Sequence, residues 1–127
     1  MYNAYDYTGA DRLIPLIRMI HREMRERADA IREINIQLHR QQSATSLGQP
    51  TLAEFSEVNL LANLSNHKRE IRKAEKELTR LGCCVDGDNP FRVLIPGANG
   101  EIENGYAWRV GDEKVSAVLQ GGPGEAA

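Results

Sequence analysis

The chain has 127 residues, 16 Lys plus Arg against 18 Asp plus Glu, 41% hydrophobic and 6% aromatic residues, enough for one modest core and too short for most large enzyme folds. A formal net charge of -2 argues against a dedicated nucleic-acid binder, whose phosphate contacts call for a clear excess of Lys and Arg. No apolar run approaches the roughly 20 residues that span a bilayer, and residues 1–6 lack the basic and apolar blocks of a signal peptide, so the cytoplasm is the expected compartment.

Thr8 followed by Asp11 has capping-box spacing and predicts a helix that stays compatible to about Gln42. Pro15, lacking an N–H and clashing with the carbonyl four residues back, should kink it or leave a separate first turn before Leu16. Residues 43–50 turn to Ser, Thr, Gly, Gln and Pro, a loop composition. Thr51 with Glu54 is a second capping box, opening a helix that runs to Leu81 and stops at Gly82, a residue suited to the left-handed C-terminal cap. Beyond it Arg92–Ile95, Tyr106–Val110 and Lys114–Leu119 are short β-type runs punctuated by Pro96-Gly97-Ala98-Asn99-Gly100, Asn104-Gly105 and Gly111-Asp112-Glu113. The expected fold is α+β, a single domain over 1–119. It comprises a long antiparallel, coiled-coil-like helical hairpin (8–82), a three-stranded antiparallel meander (91–119) and a flexible tail (120–127).

The apolar seams carry the hairpin reading. Leu13, Ile17, Ile20, Met24, Arg27, Ile31, Ile34 and Leu38 follow alternating steps of four and three, as do Leu60, Leu64, His67, Ile71, Ala74, Leu78 and Leu81. Folding the chain back between them pairs the seams layer for layer and sets Arg27 opposite His67, the one polar layer. A neutral imidazole accepts from a guanidinium, and such a layer fixes register at some cost in stability.

Other constellations read more plainly. His67, Glu70 and Glu23 lie close enough in this register to suggest a metal, yet carboxylate-bridged bundles need further inward ligands, and no cofactor or metal is expected. Arg69, Arg72, Lys73, Lys76 and Arg80 form a basic stripe opposite the second seam, flanked by Glu residues and without interleaved aromatic side chains. Asp86-Gly87-Asp88-Asn89 opens like a calcium loop but lacks the Gly at position six and the closing Glu, so a turn is expected. Gly-x-Ser-x-Gly, Gly-x-x-x-x-Gly-Lys and His-Glu-x-x-His are absent. Cys83 and Cys84 are adjacent and form neither a disulfide framework nor a Cys-x-x-Cys motif, which predicts reduced thiols near a helix end. Trp108, alternating with Tyr106 and Val110, should pack with them as core near Leu13 and Leu81.

Tyr7-Thr8 with Ala10, Leu13-Ile14-Pro15-Leu16, the charged helical hairpin, Leu81-Gly82-Cys83, and Tyr106-Ala107-Trp108-Arg109-Val110-Gly111-Asp112 together resemble a small bacterial family catalogued as domain of unknown function 2203, over about Tyr5 to Leu119. The resemblance implies no established activity, so no catalytic residue is carried over. Family members show Gly-Leu-Val-Asp-Phe-Pro before the penultimate strand and end the sheet with Trp-His. Here Arg92-Val93-Leu94-Ile95-Pro96 and Val118-Leu119 stand in those places, so a site built on those family residues would be missing.

The leading expectation is a non-enzymatic module acting through self-association or a protein partner. The alternatives are a nucleic-acid or ribosome accessory protein using the basic stripe, and an enzyme sited at the sheet and hairpin junction near Trp108 and Arg109. For self-association the expected state is a homodimer through the hairpin tips, burying Ile36, Phe55, Val58 and Ala62, which are displaced from the seams. A basic excess over residues 11–81 followed by an acidic excess over 82–127 would also attract another copy.

Overall fold

The structure, a computed structural model, describes residues 3–46 and 51–118. The tail expected at 120–127 and Leu119 lie outside the described residues. So do residues 47–50, part of the expected loop, and the side chains of Thr51, Glu54 and Phe55, which carry the second capping box and part of the expected dimer surface.

The fold is α+β. Helices α1 (Tyr7–Arg12), α2 (Ile14–Ser46) and α3 (Thr51–Arg80) precede strands β1 (Cys84–Asp86), β2 (Asn89–Ile95), β3 (Tyr106–Arg109) and β4 (Ser116–Ala117). The sheet is antiparallel throughout, in the order β1-β2-β3-β4. The expected three-stranded meander is therefore corrected to four strands. The added one, β1, is too short to show an alternating pattern and directly follows the α3 cap. The chain divides into two compact units, Met1–His21 with Glu75–Ala127, and Arg22–Ala74.

In the first unit the opening helix is capped two residues earlier than its capping-box spacing predicts. Asp6 is the N-cap, its carboxylate accepting from the Gly9 N–H at 2.7 Å, which satisfies an otherwise orphaned donor. Asp11 is thereby free for another task and accepts from the Val115 N–H at 3.0 Å. Pro15 separates α1 from α2: Leu13 N–H closes a tight bond to Ala10 O at 3.1 Å, and the regular ladder resumes with Ile17 N–H to Leu13 O at 2.9 Å. Gly82 has φ +79, and its N–H bonds Thr79 O while Cys83 N–H bonds Leu78 O, both at 2.9 Å. These are the two bonds of a Schellman cap, and the buried pair Leu78 and Cys83 occupies its hydrophobic positions. The remaining carbonyls at this helix end are taken by the N-terminal segment, Asn3 Nδ2 donating to Arg80 O and Tyr5 Oη to Leu81 O at 2.9 Å.

The sheet pairs Val93 with Trp108 and Ile95 with Tyr106. Val93, Ile95 and Trp108 are buried, as are Ala10, Ile14, Ile17, Leu78 and Val115. The chain leaves β2 through Gly97 and re-enters β3 through Gly105, where a Cβ would lie 2.0 Å from Ile95 O. Only glycine permits that backbone approach. Val110 departs from expectation: it follows the end of β3 and is 49% exposed, so the core face of this strand stops at Trp108.

In the second unit α2 continues to Ser46, past the loop expected from Ser43. Ser43 Oγ turns back to His39 O at 3.2 Å, the local bond by which a serine is accommodated inside a helix. Side-chain bonds between described residues join the helices, among them Arg27 to His67 at 3.0 Å and Gln41 to Ser56 at 2.8 Å. A higher number on α2 meets a lower one on α3, so the two run antiparallel. Among the described residues of this unit only Ile34, Leu38 and Ala74 are buried, and Ile31, Leu60, Leu64 and Ile71 are half-buried.

Candidate functional site

In the first unit the polar group that stands out is one not singled out by sequence. His21 is 3% exposed, the one buried polar or charged side chain in the described core. It continues the steps Ile14, Ile17, His21 beside the seam residue Ile20, so the signal was present as a second buried stripe on α2. Its Nε2 lies 2.6 Å from Pro90 O, which places the proton on that nitrogen because a carbonyl can only accept. The ring meets Trp108 edge-to-face at 5.9 Å. The indole N–H is also spoken for, donating to Asp112 O at 2.9 Å. Trp108 is thus a buried anchor with its polar handle satisfied, and the enzyme reading near Trp108 and Arg109 finds no free indole edge there.

Both cysteines are free thiols, Cys83 buried and Cys84 exposed. Burial pushes the Cys83 thiol up to about 12, with the neighbouring Cys84 adding to it. Burial and Asp86 raise Cys84 as well. Neither is an activated nucleophile, which requires the opposite shift. The Asp86 to Asn89 segment is the β1–β2 turn: Asp86 Oδ1 accepts from Asp88 N–H at 2.9 Å and Oδ2 from Arg92 Nη1 at 3.0 Å. Among the described residues no group of three His, Cys, Asp or Glu side chains is placed to hold a metal ion.

In the second unit the structure brings Arg27 and His67 together. Arg27 Nε donates to Glu23 Oε1 at 2.8 Å and Nη1 to His67 Nδ1 at 3.0 Å. The guanidinium is held above its ordinary pKa, chiefly by the Glu23 hydrogen bond, with Glu70 and Glu26 contributing through their fields. Since a guanidinium only donates, His67 accepts at Nδ1 and carries its proton on Nε2. Glu70 is engaged by Lys73 Nζ at 3.3 Å. The layer is half-buried, a polar clasp within reach of water.

The outer surface of α3 changes character along its length. Every exposed residue between positions 58 and 66 is uncharged: Val58, Asn59, Leu61, Ala62, Asn63, Ser65 and Asn66. Every exposed residue between 68 and 77 is charged: Lys68, Arg69, Arg72, Lys73, Glu75, Lys76 and Glu77. The five residues of the basic stripe, Arg69, Arg72, Lys73, Lys76 and Arg80, are all exposed. Val58 is 66% and Leu61 47% exposed, well above the level of any seam residue. Ile36 is 42% exposed on α2, but it lies 200° around its helix from the buried Ile34 and Leu38, just as Val58 lies 200° from Ser56, at 100° per residue. Each points away from the partner helix, so Ile36 and Val58 open on opposite sides and do not make one patch.

Among the described residues no helix is long and apolar enough to cross a membrane. No curated protein and no solved structure matches the chain. The sequence model of a family described as an uncharacterised conserved protein (DUF2203) matches residues 3–119, and the chain belongs to that family.

Proposed function

We propose that this chain is a non-enzymatic interaction module, a helical hairpin that associates with protein through the outer face of α3 and acts in the cytoplasm. The observation that supports this reading is the uncharged exposed stretch from Val58 to Asn66, set against the run from Lys68 to Glu77 on the same helix, where every exposed residue is charged. A solvated helix in a protein this polar ordinarily carries charge on its outer face, and Leu and Val left in water there gain free energy when covered. The thin packing of the Arg22–Ala74 unit points the same way, because two helices alone leave half of each seam wet. In this reading the Arg27–His67 clasp keeps the helices in register and leaves the outer ridge presented, and the free thiols accord with a reducing compartment.

Sedimentation and circular dichroism test this together. Leu61→Asp should leave helix content unchanged, since the side chain is exposed, while lowering the association state or removing a bound protein. A Leu61→Asp chain that retains the wild-type association state and the same bound proteins would refute the proposal.

A further inference from the structure

We propose that the partner on this ridge is a second copy of the chain, with the two α3 helices packed antiparallel about a two-fold axis close to Leu61 and Ala62. The inference rests on the reading of α3 as the interaction face and goes on to name its occupant and orientation.

Val58, Leu61, Ala62 and Ser65 stand at i, i+3, i+4 and i+7, one ridge of the helix, and all four are exposed. Self-complementarity follows from their order. In an antiparallel pair centred between 61 and 62, Leu61 of one copy meets Ala62 of the other, and Val58 meets Ser65. Each large side chain faces a small one, in both directions, through a single symmetry operation. A two-fold axis also brings the same flank of each helix together. One flank is Asn59 and Asn66, so amides meet amides, each able to donate and accept.

Charge decides the orientation. A parallel pair would set Lys68, Arg69, Arg72 and Lys73 of one copy against the same residues of the other. Turning one helix around places Lys68 about 10 Å from the axis in each copy, at 1.5 Å rise per residue, so the two basic runs begin roughly 20 Å apart. That distance exceeds the Debye length of about 8 Å at physiological ionic strength, and their repulsion is screened. The ridge is short, so the dimer is expected to be weak and concentration-dependent.

Disulfide mapping on the full chain tests both parts. In a background where Cys84, the exposed thiol, is replaced by Ser, one chain carries Ala62→Cys and another Arg69→Cys. Mild oxidation at high micromolar concentration should give covalent dimers from the first and leave the second monomeric, and wild-type sedimentation should show a concentration-dependent dimer. Comparable cross-linking at both positions would overturn the antiparallel arrangement. A wild type that stays monomeric across the whole concentration range would overturn the second copy as occupant. Each of those results leaves the interaction face itself standing if Leu61→Asp still abolishes binding of another protein. Val58→Asp serves as an independent disruptor, with circular dichroism confirming that it folds.

Discussion

The same two helices are packed in two different ways at their two ends. In the Met1–His21 and Glu75–Ala127 unit, the first turns of α2 and the last of α3 share a core with the sheet, and Ile17, Val93, Ile95 and Trp108 are sealed from water. In the Arg22–Ala74 unit, among the described residues, most of the seam stays partly accessible. The contrast shows that helix length and seam spacing do not by themselves make a core. A third layer does, and where it is missing the helices are bridged by polar side chains, Arg27 with His67 and Gln41 with Ser56.

The largest test of this contrast is Trp108→Ala, which empties the position of the largest fully buried side chain and removes the edge-to-face contact with His21. It should cost about 3–5 kcal/mol and collapse the near-ultraviolet signal. A cost below about 1 kcal/mol would mean that the sheet-covered end is no better packed than the other. Ile34→Ala, at one of the few buried positions of the second unit, should fall near about 2 kcal/mol, the low end for its class, because water reaches the site on one side. A cost equal to that of Trp108→Ala would erase the distinction.

A smaller effect appears with pH in the first unit. The Cys83 thiol is raised from 9.0 to about 12 by burial, so the unfolded chain loses that proton first. Stability is then fully present below pH 9.0 and falls as pH rises toward about 12. Tyr5 is raised in the same direction, by burial and then by Cys83. Denaturation midpoints recorded across that range should decline less steeply for Cys83→Ala than for the wild type. Parallel slopes would show that Cys83 is not the group responsible.

Much of this architecture can be read from residue spacing, because long helices repeat their signal many times. The seams, the left-handed Gly82 and the polar pair of Arg27 with His67 all follow from steps of three and four. Features set by a single tertiary contact leave no such repetition. Strand β1 exists because Val85 finds Val93, and His21 is buried because Trp108 and Pro90 come to it. Asp6 caps α1 in place of Thr8, and Asp11, the acid of the expected capping box, is claimed by Val115. The outer face of α3 lies between these cases. Its uncharged run is visible in the letters, but only exposure separates Val58 and Leu61 from seam residues, and helical phase takes Ile36 out of the surface that Val58 shares with Ala62.

The strap formed by Asn3 and Tyr5 across the end of α3 has a consequence for how the chain assembles. Tyr5 finds its acceptor, Leu81, 76 residues later. The sheet-bearing unit is discontinuous, needing both Met1–His21 and everything from Glu75 onward. During synthesis its first piece must wait until the intervening segment has been made, and loop closure over such a span costs entropy before any contact repays it. The Arg22–Ala74 helices are complete at that moment. A nascent chain therefore passes through a stage in which the Val58 to Asn66 stretch has been synthesised while the sheet-bearing unit is still incomplete.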